Sequence, residues 1–256
     1  MAEIRKIRKE EMTVRVFDNR ANMGAAAAGE AAQIIRDAAA EQEVVNIIFA
    51  AAPSQNEFLE ALCAMKDLPW ERINAFHMDD YIGLPADAPQ GFANFLRRAI
   101  FDRLPFREVF YLNGQNPDPE AECERYTKVL QEHPTDIIFL GIGENGHIAF
   151  NDPPVADFND PKDVKVVELE ARCRQQQVND GCFAKLEDVP THAYTLTIPL
   201  MMRAKRLLMV VPTKLKAQAI RDTVRGPITT EVPASVTRTH PGGITLYTDE
   251  AGASLL

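Results

Sequence analysis

Two neighbouring acids, Asp79 and Asp80, and a glycine-broken turn holding Asn145, His147 and Asp152 are the residues of this chain best suited to moving protons. A carboxylate partly withdrawn from water gains proton affinity and becomes a better base near neutral pH. Asp79 and Asp80 follow the apolar Met78 and precede Tyr81 and Ile82, so desolvation is expected for at least one of them. Acids in such places also serve as turn formers and caps, the commoner role for an isolated pair. His147 stands five residues before Asp152, near enough for the carboxylate to fix the ring's tautomer and make an acid/base pair. Asn145 can orient either partner or a substrate hydroxyl; the competing reading is a left-handed turn residue.

Anion binding has two candidate places. Ser54, with Glu57 three residues on, reads as a capping box opening a helix, whose free N–H groups attract negative charge. Lys214 stands in the first turn of a second helix that Thr213 can cap. In the turn 141–147, Gly141, Gly143 and Gly146 relax the backbone and leave its N–H groups within reach of an anion.

These residues need strands to carry them. Ile137–Leu140 is a short β-branched and aromatic run between Pro134 and Gly141, a strand buried on both faces that ends at the glycine turn. Upstream, Met12–Phe17 alternates as a strand, residues 19–43 form an alanine-rich helix, residues 44–50 a strand, and a helix runs from Ser54 to about residue 66. A strand at 72–78 leads to the two acids, then come a helix at 92–104, a short strand at 109–112 and a helix at 117–132. Strands follow at 193–199, 206–212 and 243–247. Strand and helix alternate, which predicts an α/β fold: a single Rossmann-like domain over residues 1–256, with a mostly parallel central sheet flanked by helices on both faces. Ligands in such sheets bind beyond the carboxyl ends of the strands. Residues 155–190 are loosely patterned and polar, including the run Gln175, Gln176, Gln177, and read as a lid-like insert.

Composition excludes several classes. The net charge of −9 disfavours nucleic acid or anionic lipid as principal partner. No apolar run reaches membrane-helix length, and residues 1–11 lack the apolar core of a signal peptide, so the cytoplasm is expected. Cys63, Cys123, Cys173 and Cys182 make no C-x-x-C pair and the five histidines no zinc spacing, so reduced thiols and no structural metal are expected.

The segments F-H-M-D-D-Y-I-G-L-P (76–85) and G-I-G-E-N-G-H-I-A-F-N-D-P (141–153), with V-P-T-K (211–214) and T-H-P (239–241), resemble the glucosamine-6-phosphate deaminase family in order and spacing over nearly the whole chain. The resemblance implies aldose-to-ketose isomerisation coupled to loss of ammonia from an amino-sugar phosphate, without metal or cofactor. In it, Asp79 matches the base that moves the C2 proton to C1, His147 the histidine of ring opening, Asp152 and Asn145 its partners, and Lys214 the phosphate lysine. Family members commonly form trimers or hexamers, and a homo-oligomer is implied here. This chain departs from the family at residues 50–56, A-A-A-P-S-Q-N, where a glycine-rich threonine loop is usual and only Ser54 stands near the threonine position. Arg174 fits an arginine adjacent to the one that family lids bring to the phosphate, whose own place falls near Asn179, and Asp152 replaces a glutamate. Sibling activities on the same scaffold are a plain sugar-phosphate isomerase, a deglycase or a lactonase; the non-catalytic alternative is a sugar-phosphate sensor.

Overall fold

The computed structural model describes residues 2–256. Its centre is an eight-stranded sheet whose strands, in chain order, are β1 (Glu3–Lys9), β2 (Met12–Phe17), β3 (Val45–Phe49), β4 (Ile73–His77), β6 (Glu108–Phe110), β7 (Ile137–Leu140), β10 (Arg206–Val210) and β11 (Ile244–Asp249). They lie in the order β1-β2-β11-β10-β7-β3-β4-β6. Every pairing is parallel except β1 with β2.

Parallel strands covered on both sides must be apolar on both sides, and these are. Val45, Ile47 and Phe49 of β3 and Ile137 and Phe139 of β7 enter one core, with α1 (Arg20–Glu41) and α2 (Asn56–Cys63). The alternate residues Ile48, Ile138 and Leu140 enter the other, with Tyr126 of α4 (Pro119–Glu132) and Ile220 of α7 (Ala217–Arg225). Helices therefore cover both faces, as the alternation of elements implied.

Several local readings need correction. The basic segment at the start forms the edge strand β1, mostly exposed and paired antiparallel to β2. With both faces near water it carries no alternation to detect, and its charges suit an edge that must not pair further. The Ser54–Glu57 capping box does not form: Pro53–Gln55 is a 3-10 turn, α2 starts at Asn56 without a side-chain cap, and Glu57 pairs with Arg20 at 2.7 Å. Thr213 caps nothing with its side chain; its φ is 82° and its N–H donates to Asp249 Oδ1 at 3.0 Å. Helix α3 covers only Phe92–Leu96 before widening into a π turn at Arg97–Phe101.

The strand at 193–199 and much of the insert leave the main sheet. β5 (Asp79–Tyr81), β8 (Val164–Glu168) and β9 (His192–Leu196) make a small antiparallel sheet in the order β5-β9-β8. The rest of the insert is α5 (Ala171–Asn179) and the turns after it. A last short helix, α6, covers Ile198–Met202.

Candidate active site

The chain leaves β3 and β7 side by side and in opposite senses: onward from β3 the sheet grows through β4 and β6, onward from β7 through β10 and β11. A crevice opens at such a reversal, beyond the carboxyl ends of the strands. Asp79, Ser54, Gly141, Gly143 and His147 line one hollow there.

Asp79 and Asp80 point to opposite sides because they are successive residues of β5. Asp80 is structural: Oδ1 accepts from the N–H groups of Tyr81 and Phe92 and Oδ2 from Ala93, all at 2.9–3.0 Å, which caps α3. Asp79 is the free member. No described residue donates to its carboxylate, which is 6% exposed, and burial first, then the neighbouring Asp80, drives its pKa well above the usual carboxylate range. The nearby His77 is a satisfied core residue: Nε2 accepts from Leu112 N–H, so Nδ1 donates to the Asp79 carbonyl at 2.9 Å.

His147 is held by the turn that follows β7. Its Nδ1 lies 2.8 Å from Asp152 Oδ1, off the line of a well-directed hydrogen bond. Asn145 Nδ2 donates to the same Oδ1 at 2.9 Å and to Glu170 Oε2 at 2.7 Å, while its Oδ1 accepts from His147 N–H. Asp152 is fully buried; burial pushes its pKa up, but His147, Asn145 and the Glu170 N–H outweigh that and hold it low. The left-handed residue of the turn is Gly146, φ 86°, not Asn145. Gly143 has a different necessity: a Cβ there would sit 2.1–2.4 Å from three atoms of the His147 ring.

One residue of β9 joins the two halves of the site. Thr195 pairs with Asp79 across the small sheet, and its hydroxyl accepts from Phe150 N–H at 3.0 Å. Asn151 Nδ2 donates to the carbonyl of the next residue, Leu196. Asp79 and the His147 turn are thus fixed to the same short strand.

The anion-binding assignments divide. Ser54 and Gly141 line the hollow. Lys214 is exposed and outside it; Lys216, two residues on, is 5% exposed, lines it, and its Nζ has no hydrogen-bond partner. Burial lowers the Lys216 pKa against the pull of Asp180 and Glu144. Arg174 also lies elsewhere, its guanidinium donating to the carbonyls of Leu186 and Val189 to staple the chain after α5. Helical spacing explains this: Cys173, Gln176 and Gln177 are buried at i, i+3 and i+4, and Arg174 falls off that stripe. Gln176, Gln177 and Asp180 line the hollow, and that spacing was the available signal for them. Glu170 carried no sequence signal. His147, Asp152 and Cys173 also place a nitrogen, an oxygen and a sulfur within 4.8 Å of one another, donors that a divalent cation such as zinc accepts.

The hollow measures only about 60 Å³, room for a water or two and well short of a usual ligand pocket. Helix α5 closes it: Gln176 Oε1 accepts from Glu144 N–H at 2.7 Å and Arg172 donates to the Glu144 carbonyl at 3.0 Å. A larger cleft of about 700 Å³ lies at the opposite, amino end of the sheet, with acids and bases intermixed, and none of its lining residues has an unpaired buried polar side-chain atom among the described residues.

The family profile described as glucosamine-6-phosphate isomerases/6-phosphogluconolactonase matches residues 18–246. The chain is 39% identical over 212 residues to a glucosamine-6-phosphate deaminase of Listeria monocytogenes serotype 4a, covering 83% of this chain and 88% of that protein. It is 39% identical over 188 residues to one of Bacillus cereus, covering 73% and 70%. A solved structure described as a monomeric glucosamine-6-phosphate deaminase superposes with TM-score 0.86 at 29% identity over 95% of this chain and 99% of that one. A 6-phosphogluconolactonase of Thermotoga maritima shares the fold, with TM-score 0.77 at 17% identity over 93% and 100%. With a profile covering most of its length, and with these relatives, the chain belongs to the glucosamine-6-phosphate isomerase/6-phosphogluconolactonase family.

Proposed function

We propose that this chain is a deaminating aldose-ketose isomerase that converts glucosamine 6-phosphate and water to fructose 6-phosphate and ammonia. The observation that carries the reading is the unpaired, desolvated carboxylate of Asp79 sharing one hollow with an imidazole held by Asp152. His147 moves the proton that lets the sugar ring open at its ring oxygen, with Asn145 and Asp152 fixing the imidazole. Asp79 then takes the C2 proton, giving an enolamine, and returns a proton at C1. The resulting C2 imine adds water and expels ammonia. Each positioned acid or base contributes about 100-fold or more.

Substrate entry requires α5 to withdraw, since a hexose phosphate exceeds the closed hollow several-fold. The lid lies within the insert 155–190, with α5 as its part over the hollow. Lys216 and Ser54 receive the phosphate in place of the Lys214 and Arg174 expected from sequence. All these groups come from one chain, so no second copy is needed to complete the site. No helix of the described residues is long and apolar enough to cross a membrane; a charged sugar phosphate does not cross a bilayer unaided, and we assign the enzyme to the cytoplasm.

The test is incubation with glucosamine 6-phosphate and measurement of ammonia and fructose 6-phosphate in equal amounts. Ammonia release from no hexosamine phosphate removes the proposal; lactone hydrolysis without ammonia identifies a sibling activity.

A further inference from the structure

Among the described residues that line the hollow, Lys216 is the only lysine or arginine, and Asp180 lines it as well. The two do not close into an ion pair: Nζ of Lys216 has no hydrogen-bond partner, although the residue is 5% exposed. Asp180 stands at the carboxyl end of α5, where the helix's last carbonyls add negative partial charge. Its position is fixed from two directions. Its N–H donates to the Gln176 carbonyl at 2.8 Å, and its Oδ2 accepts from Gln176 Nε2 at 3.4 Å. Gln176 is in turn anchored to the catalytic turn through Glu144 N–H. Ala50, Ala51 and Ala52 line the hollow without polar side chains, and Ser54 adds one neutral hydroxyl. A buried lysine thus shares the hollow with a carboxylate at the end of α5, where a site made only for a dianion would carry further cations.

We propose that Asp180 is the built-in countercharge of Lys216, a carboxylate that an anionic substrate group must displace from the lysine's surroundings, and that it sets how strongly this site prefers phosphorylated ligands. Asp180 attracts Lys216 across the hollow and so favours the closed position of α5; a phosphate takes over that attraction and repels Asp180, which drives the helix outward. Asp180 is therefore a specificity and gating residue. The anion-binding part stands on the geometry alone; only the identity of the full substrate rests on the reaction proposed above.

The probe is inorganic phosphate, titrated calorimetrically at fixed ionic strength into the wild-type chain, Asp180→Asn, Lys216→Met and the double variant. Removing a like charge from the lining of a partly desolvated site raises phosphate affinity by roughly tenfold or more. The expected pattern is tighter binding in Asp180→Asn, loss of binding in Lys216→Met, and no recovery in the double variant. Glu144→Gln, whose side chain lies outside the lining, gives a smaller gain. Asparagine suits a helix carboxyl end, and Asp180→Ser serves as the second variant should Asp180→Asn fold poorly. Unchanged or weaker phosphate binding in both Asp180 variants overturns the proposal, as does an equal gain in the double variant, because the repulsion would not then act at Lys216. With amino sugars, the Asp180→Asn KM for glucosamine 6-phosphate falls, while kcat/KM for unphosphorylated glucosamine shows no such gain. Absence of deamination removes that second arm only, and the phosphate titration still decides.

Discussion

Gly143→Ala separates catalysis from stability in this site. The new methyl carbon would sit 2.1 Å from His147 Cε1, and ordinary contact begins at 3.4 Å, so the imidazole must move by about 1.3 Å. The backbone itself raises no objection, because Gly143 is not among the glycines with positive φ. The ring can rotate out of the way, which costs on the order of 1–3 kcal/mol as overpacking. It cannot do so and keep its place beside Asp152 Oδ1, now 2.8 Å from Nδ1. A misplacement of about 1 Å at reacting groups lowers rates roughly 100-fold. The variant is therefore expected to fold, to lose a few degrees of Tm, and to release ammonia from glucosamine 6-phosphate about 100-fold more slowly. Chemical denaturation and a coupled ammonia assay measure the two effects separately. Near wild-type kcat in a folded Gly143→Ala protein would refute the assignment of His147, since a displaced ring would then be harmless.

Asp79→Asn should lower kcat by 100-fold or more yet stabilise the fold at pH 7–8. Asp79 has a folded pKa above its unfolded one, so the native state binds the extra proton and wild-type stability falls as pH rises from the ordinary carboxylate value through the raised one; melting curves across pH should show the variant's advantage disappear in acid. Asp80→Ala removes the acceptor of three N–H groups at the start of α3 and should cost on the order of 1–2 kcal/mol in urea denaturation, with a smaller loss of activity than Asp79→Asn. Chelation by EDTA should leave the rate unchanged, because the proposed proton transfers use only side chains of the chain; inactivation reversed by added zinc would instead assign a working role to the donors at His147, Asp152 and Cys173.

The strand-and-glycine-turn pattern around residues 137–152 was legible because buried parallel strands must be apolar on both faces and must end at a turn. Asp79 and His147, each just past the end of such a strand, line the same hollow. Residue types alone did not distinguish Asp79 from Asp80, and only the family resemblance singled out Asp79, because the difference depends on which face of β5 meets the start of α3, twelve residues further along. Lys214 was preferred to Lys216 because a helix was expected to begin at Thr213; the left-handed Thr213 and the 3-10 turn rotate Lys214 outward and Lys216 inward. Arg174 was singled out through the family resemblance, whereas the buried stripe of its helix was written in Cys173, Gln176 and Gln177. The small β5-β9-β8 sheet ties both halves of the site to Thr195; its β5–β9 pairing joins segments more than a hundred residues apart, and no local pattern announces it.

The most direct test of proton transfer by Asp79 follows the hydrogen on C2. Glucosamine 6-phosphate carrying deuterium at C2 is turned over by the wild-type chain, and the fructose 6-phosphate and ammonia are collected. The label is expected to leave C2 with every ammonia released, appearing at C1 or in water, and the reaction is expected to fail in Asp79→Asn. Ammonia formed at an undiminished rate by Asp79→Asn, or formed while the deuterium stays on C2, would contradict the account.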